Sequence, residues 1–452
     1  MAGGPGMMKL GLFFEGVGHH IAAWRDARVD PHARESLAHH IEIARTAERG
    51  KFDLLFTADT QATFGPDDVE AWTYTMHTSR LEPLTLLGAL AVVTERIGLV
   101  ATATTTYFEP YHVARFFASL DQISQGRVGW NLVTSAAPAE AYNFGRDTHV
   151  AHADRYARAR EFVQVVLGLW DSWEDGAVIA DKASGRYFDP AKLHMLRHKG
   201  SHFSVRGPLM LHRSPQGHPV IVHAGQSEDG RELAAQNAEI IFTVQQDRDA
   251  GRAFYTDLKQ RAARYGRAPD EIKIMPGVMT AIGESRAEAQ EKYDELNSLI
   301  HPKLGVQLLS AFIGMDVSGY PLDGPLPELP TSNTEHGRQQ VIADMARRDN
   351  LTIRELYKRV AGQRAHRTIV GTAADVADGL EDWFRSGAAD GFNIMPLTFP
   401  HGLDDFVNLV IPELQRRGLF RTEYEGNTLR ENLGLARPAN RWAAAQETRD
   451  AG

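Results

Sequence analysis

Eight times along this chain a short apolar run hands over to a helical pattern, and that alternation limits the fold more than any other feature. The runs are "KLGLFFE" (9–15), "DLLFTAD" (53–59), "IGLVATATTT" (97–106), "RVGWNLVT" (127–134), "PVIVHAG" (219–225), "EIIFTVQ" (239–245), "IKIMPGVMTAIG" (272–283) and "GFNIMPL" (391–397). Helical spacing follows at 36–51, 83–94, 110–124 and 154–173, from Glu228, and at 248–265, 285–300, 372–388 and 404–418. Near-continuous apolar strands belong to parallel sheets covered on both faces. Eight such units predict an α/β fold of the TIM (β/α)8 barrel type. A doubly wound open sheet is the alternative, but its dinucleotide-binding form carries G-x-G-x-x-G after the first strand, and none is present. Three stretches break the beat, near 60–82, 174–217 and 301–366. They read as insertions over the mouth of a single barrel domain spanning 1–452. The third, with "SGYPLDGPLPELPTSNTEHG", has the composition of a mobile lid.

Composition removes several functions. Lys plus Arg is 49 against 58 Asp plus Glu, a net charge of −9, which suits neither nucleic acid nor an anionic membrane. Without cysteine there is no disulfide, thiolate metal site or Cys nucleophile. The 19 histidines form no H-x-H or H-E-x-x-H, so no metal is expected. "MAGGPGMMKL" is not a signal peptide, and no apolar run reaches the ~20 residues of a spanning helix. A cytoplasmic protein is expected.

In a barrel, function gathers where strands end. The first run ends at Glu15, with His19 and His20 beyond it; the second ends at Asp59; the third ends in Thr104, Thr105, Thr106 and Tyr107. The fourth carries Asn131 between Trp130 and Leu132, and its loop holds His149, His152 and Tyr156. The fifth breaks at Gly225-Gln226-Ser227 before a helix. Loop amides and a helix N-terminus there would face an anion, although a glycine turn with a serine cap explains the same letters. Together, Asp59, Thr105, Asn131, His152, Tyr156, Gly225, Gln226 and Ser227 describe a rim that hydrogen-bonds a ring system and a phosphate, which fits flavin mononucleotide better than a metal. Phe13, Phe14, Trp24, Trp72, Tyr74 and Phe312 tilt the expected substrate toward the apolar, while Arg25 or Arg80 would suit an anionic one.

"FFEGVGHHIAAWR", "FDLLFTAD", "HAGQSEDG" and the long block from "EPLTLLGAL" to "GWNLVTS" resemble the flavin-dependent monooxygenases of the bacterial-luciferase-like superfamily, in particular the nitrilotriacetate, dibenzothiophene-sulfone and long-chain alkane monooxygenase group. The likeness runs over roughly residues 8 to 435. It implies a TIM barrel, reduced FMN (FMNH2) with O2 as co-substrate, oxygen transfer through a flavin peroxide, and a separate NAD(P)H:flavin reductase as partner. It places FMN contacts on Asp59, Thr105, His152, Tyr156 and Ser227, with Asn131 beside the ring. It puts a non-prolyl cis peptide at Thr104–Thr105, and a homodimer or homotetramer is expected. His20 and His19 are the expected catalytic residues near the substrate, since histidine exchanges protons near neutral pH. An F420-type deazaflavin-dependent oxidoreductase of the same superfamily is the alternative, and a non-catalytic flavin-binding protein is the third reading.

Overall fold

The computed structural model describes residues 6–63, 69–329, 336–363 and 366–443. Eight parallel strands close on themselves: β1 (Lys9–Phe13), β2 (Leu54–Thr57), β3 (Gly98–Thr104), β4 (Val128–Val133), β5 (Val220–His223), β6 (Ile240–Thr243), β7 (Lys273–Ile282) and β8 (Gly391–Pro396). Each neighbour in sequence pairs with the next, and β8 pairs back to β1 with Lys9 opposite Gly391 and Leu12 opposite Ile394. The TIM barrel is the observed fold. The strands end one or two residues before the apolar runs do, because the last residues of each run already turn into the mouth.

Alternation of side chains explains why the strands read as continuous apolar runs. One face supplies the barrel interior: Phe13, Leu54, Phe56, Val100, Val222, Phe242, Met275 and Met395 pack together there. The other face, with Leu12, Leu55, Leu99, Trp130, Ile221 and Ile394, packs under the helices. Those helices are α1 (Leu37–Arg49), α2 (Pro83–Ala91), α3 (Pro110–Ile123), α4 (His152–Trp170), α5 (Glu228–Asn237), α6 (Arg248–Arg264) and α7 (Arg286–Ser298). Their starts follow local rules. Pro83 and Pro110 occupy first turns, and Ser36, Ser227, Asp247 and Ser285 accept amide hydrogen bonds as caps. The lower end is sealed by the C-terminal segment. Leu429, Leu433 and Leu435 enter the inner core, and Arg421 reaches the fully buried Asp53, which also accepts from the Leu10 amide at 2.7 Å.

Three features differ from expectation. A ninth strand, Arg367–Gly371, lies outside the barrel. It pairs with Val278–Ile282, the overhang left because β7 is ten residues long. Its "RTIVG" lies where the third insertion hands back to the barrel, so it was not separable from a loop by pattern. Second, that insertion carries three helices among its described residues: α8 (Pro302–Ile313), α9 (His336–Arg348) and α10 (Ile353–Gln363) build a core of their own with Ile21 and Ala22, against which Trp72 and Tyr74 pack. Residues 64–68, 330–335 and 364–365 of the two insertions lie outside the described residues. Third, the second insertion forms two small hairpins, Val178–Asp181 with Arg186–Phe188 and His198–Lys199 with Ser204–Val205. A helix α11 (Ala373–Arg385), with a Thr372–Asp375 capping box, leads into β8. No helix of the described residues is long and apolar enough to cross a membrane.

Closure leaves no room at Gly391, where a Cβ would stand 2.0 Å from the Lys9 carbonyl oxygen. We therefore expect Gly391→Ala to lower unfolding stability by about 3 kcal/mol through backbone overpacking. Urea denaturation measures this, and a midpoint like the parent's would refute it.

Candidate active site

The mouth is floored by aromatic rings. Phe13 and Phe56 meet edge to face at 4.9 Å, and Phe56 stacks on Phe242 at 5.5 Å, which places apolar rings across the top of the inner core. A threonine ladder rises from this floor. Thr102 donates its hydroxyl to the Thr57 carbonyl at 2.7 Å, and the Asn131 amide donates to Thr102 at 2.8 Å. Asn131 is 2 % exposed, and its Oδ1 has no hydrogen-bond partner among the described residues. A buried amide oxygen left open in this way marks a place for an incoming donor.

On one flank, β5 gives way to α5 at Gly225-Gln226-Ser227. Ser227 caps the helix by accepting from the Gly230 amide at 3.2 Å, and its hydroxyl lies 3.4 Å from that of Tyr156, itself 5 % exposed. Gly225 and Gly230 touch so closely that a Cβ on either would stand 3.0 Å from the other's backbone; on Gly230 it would also meet the Tyr156 hydroxyl at 3.0 Å. The His152 ring lies tilted at 44° to that of Tyr156, centroids 4.7 Å apart, with half its side chain exposed and Asp229 at 3.6 Å. The acids in the first turn of α5 are drawn aside: Glu228 is held by Arg261, and Asp229 is also near Arg160 at 3.5 Å. His152, Tyr156, Gly225, Gln226 and Ser227 thus form one corner. Gln226 faces solvent, and its carbonyl accepts from Arg231.

Asp59 and Thr105 stand at the ends of β2 and β3. Burial pushes the Asp59 carboxyl up to about 6, with Glu82 and Glu140 adding to the rise against the pull of Arg80 and the Thr60 amide. Thr105 is fully buried; its hydroxyl donates to the Val133 carbonyl at 3.3 Å, and its own carbonyl accepts from Arg158 at 3.0 Å. The Thr104–Thr105 peptide is not cis. The cis bonds among the described residues precede Pro208 and Pro400, where the tertiary amide lowers the cost.

The two histidines after β1 face inward. His19 Nε2 lies 2.7 Å from the Phe13 carbonyl and its ring meets Phe13 edge-on. His20 is fully buried; its Nδ1 accepts from the Ala22 amide at 3.2 Å, so Nε2 carries the proton toward Asn297 Oδ1 at 3.2 Å. Burial drives it down to about 4, and it is neutral in the fold. The aromatics expected around a substrate do not converge. Phe13 belongs to the inner core, Phe14 to the outer shell, Trp24 to a small cluster with Val17, and Trp72, Tyr74 and Phe312 to the insertion core. Arg25 is exposed and bonds the Leu299 carbonyl, while Arg80 bonds that of Ala58 at 3.1 Å.

Two residues escaped sequence reasoning. His366, at the foot of the third insertion, brings its ring to 5.6 Å from Phe242 and fits only because residue 277 is glycine. Nothing in its neighbourhood marks it. Glu140 is 3 % exposed in "SAAPAEAY", where one acid among small apolar residues was a readable signal.

The sequence profile of luciferase-like monooxygenases matches residues 18–390. The chain belongs to that family. It is accordingly an oxidoreductase that acts with O2. It is 53 % identical over 441 residues to nitrilotriacetate monooxygenase component A of Aminobacter aminovorans, covering 96 % of this chain and 97 % of that one. It is 51 % identical over 439 residues to N-acetyl-S-(2-succino)cysteine monooxygenase of Bacillus subtilis (strain 168), covering 96 % and 98 %. A solved riboflavin lyase with modified FMN and its substrate riboflavin superposes with a TM-score of 0.83 at 33 % identity, covering 96 % of this chain and 97 % of that one.

Because His20 titrates near 4 in the fold and near 6.5 when unfolded, the unfolded chain takes up the proton first as pH falls. Stability from this group is complete above 6.5 and declines by about 3 kcal/mol toward pH 4. His20→Gln should flatten that part of the stability–pH curve; an unchanged slope would contradict the assignment.

Proposed function

We propose that this chain is the oxygenase component of a two-component system. It takes FMN in its reduced form, FMNH2, from a separate NAD(P)H:flavin reductase. With O2 it transfers one oxygen atom to a small organic substrate of the sulfone, alkyl sulfide, aminopolycarboxylate or alkane class. The observation that carries this reading is the corner between β5 and α5. Two glycines in contact, two facing hydroxyls and an imidazole are gathered at a helix N-terminus, donors of the kind an oxyanion would take. The open Asn131 oxygen offers a second, independent point of fit: an acceptor on the interior side for a ring N–H. The word "component" in the name of the 53 % relative, and the flavin in the riboflavin lyase structure, support the same reading. Assembly as a homodimer or homotetramer is part of it.

In this reading Ser227, Tyr156 and His152 would hold the phosphate, with Gly225 and Gln226 supplying backbone around it. Asn131, Asp59 and Thr105 would hold the ring and ribityl end. Bound reduced FMN supplies the electrons that activate O2. The chain's own part is to orient and to exclude water. The Phe13–Phe56–Phe242 floor closes the site from below. His19 and His20, with their nitrogens turned to protein partners, fix the loop after β1 and make the substrate wall rigid.

A reductase, NADH, FMN and O2 with a panel of substrates should yield, by mass spectrometry, a product heavier by one oxygen atom. Omitting the reductase should abolish it, and product from NADH without flavin would defeat the reading. Ser227→Ala, which removes one hydrogen bond to an anion, should raise the FMN dissociation constant about tenfold in a fluorescence titration. Unchanged affinity would move the phosphate elsewhere.

A further inference from the structure

Glu140 lies in the short turn Pro138–Phe144 after β4, buried at the rim, and no cation pairs with it among the described residues. Its partners are hydroxyls. Thr60 donates to Oε1 at 3.2 Å, and Ser135 donates to Oε2 at 2.6 Å. Ser135 Oγ also lies 2.8 Å from Thr104 Oγ1, which accepts from the Thr106 amide at 3.1 Å. A serine hydroxyl has one proton. With that proton on Glu140, the Thr104 hydroxyl donates to Ser135, and a chain of donors runs from the end of β3 into the carboxylate. Ser135 is held for this in the left-handed region, at φ 53°, where a residue with a Cβ is rarely found. Thr60 has a second bond, since its amide serves the Asp59 carboxylate. One residue therefore joins the two acids.

We propose that Glu140 is a positioning residue that makes Asp59 the proton-holding carboxyl of the barrel mouth. Glu140 is built as an acceptor at both oxygens, which is the bonding of an ionised carboxylate. Its charge disfavours a second one nearby and so holds the proton on Asp59 more firmly, adding to the larger effect of burial. The raised titration of Asp59 agrees with this. The other charged groups about the pair are Arg80 and Glu82, facing Asp59, and Tyr107 and His149, facing Glu140, with Arg146 and Arg155 behind these two. Its purpose rests on the oxygenase reading. Substrate, O2, the reduced donor as its anion and one proton give oxygenated substrate, water and oxidised donor. Each turnover thus draws a proton, and Asp59, titrating near 6, is a rim carboxyl that still carries one in part of the population just below neutral pH.

The proton's address can be tested in the flavin-free chain, without turnover. Infrared difference spectra against pH follow the C=O stretch of protonated carboxyls. We expect a band with its midpoint near 6, absent from Asp59→Asn. In Glu140→Gln the midpoint should fall by about one pH unit, because the neighbouring charge is gone. Ser135→Ala, which removes a donor from Glu140, should shift it the same way by less, and it stands in if Glu140→Gln does not fold. An unmoved midpoint in either folded variant overturns the proposal. So does a band that survives Asp59→Asn and vanishes in Glu140→Gln. In the reductase-coupled assay, the limb of kcat/KM that falls on the alkaline side should move with the infrared midpoint. An infrared shift with a stationary limb would leave the proton on Asp59 and remove its use in turnover.

Discussion

The pairing of β1 with β8 joins the two ends of a chain more than four hundred residues long, and the rest of the molecule depends on it. Until Lys9–Leu12 find Gly391–Ile394, the inner faces of eight strands have no enclosed space to fill. Once they do, the interior residues of every strand become neighbours, and the polar strand ends are gathered onto one rim. The closure is tight enough to dictate a glycine where the first and last strands touch. Because the C-terminal segment seals the other end with Leu429 and Leu433 and the Arg421–Asp53 pair, only one face of the barrel is left for chemistry.

Buried acids show how differently the two ends are managed. At the sealed end, Asp53 sits against Arg421 with Lys9 at 4.0 Å. At the rim, Glu15 is met by Arg34 at 2.8 Å and His77 at 3.3 Å. Each of these carboxylates has cations within ion-pair reach, as burial demands. Glu140 departs from that rule. It is satisfied by hydroxyls instead, at a position where the backbone of Ser135 is bent into an uncommon conformation to supply one of them. Strain and an unneutralised acid in one place are signs of function more often than of packing.

Much of the fold was legible because its signals are local. Each barrel strand is a run of apolar residues, and most helices carry their own start, as with Pro83, Pro110 and Ser227. Eight repeats of that grammar leave few architectures. The corner at Gly225–Ser227 was legible for the same reason: its turn, cap and glycine are contiguous in sequence. What was not legible depends on distance. The outer strand Arg367–Gly371 exists because β7 overshoots its neighbours, a length no local pattern reveals. The histidines after β1 read as residues facing a substrate, and no local pattern shows that Asn297, nearly 280 residues on, bonds one of them. The aromatics near the mouth were counted together, but the fold distributes them among separate cores. Glu140 acquires its meaning only when the ends of β2, β3 and β4 stand side by side.

The outer strand also decides how the third insertion is held. The third insertion leaves the barrel just after α7, where Asn297 is tied to His20, and returns as a strand zipped onto β7 over five residue pairs. Such a segment is an arch with both feet set in masonry, not a flap on one hinge. Releasing one tie alone would not free it. Trp72 and Tyr74 lean on the same core from the first insertion, so two additions to the barrel, far apart in the chain, are keyed together like adjoining stones.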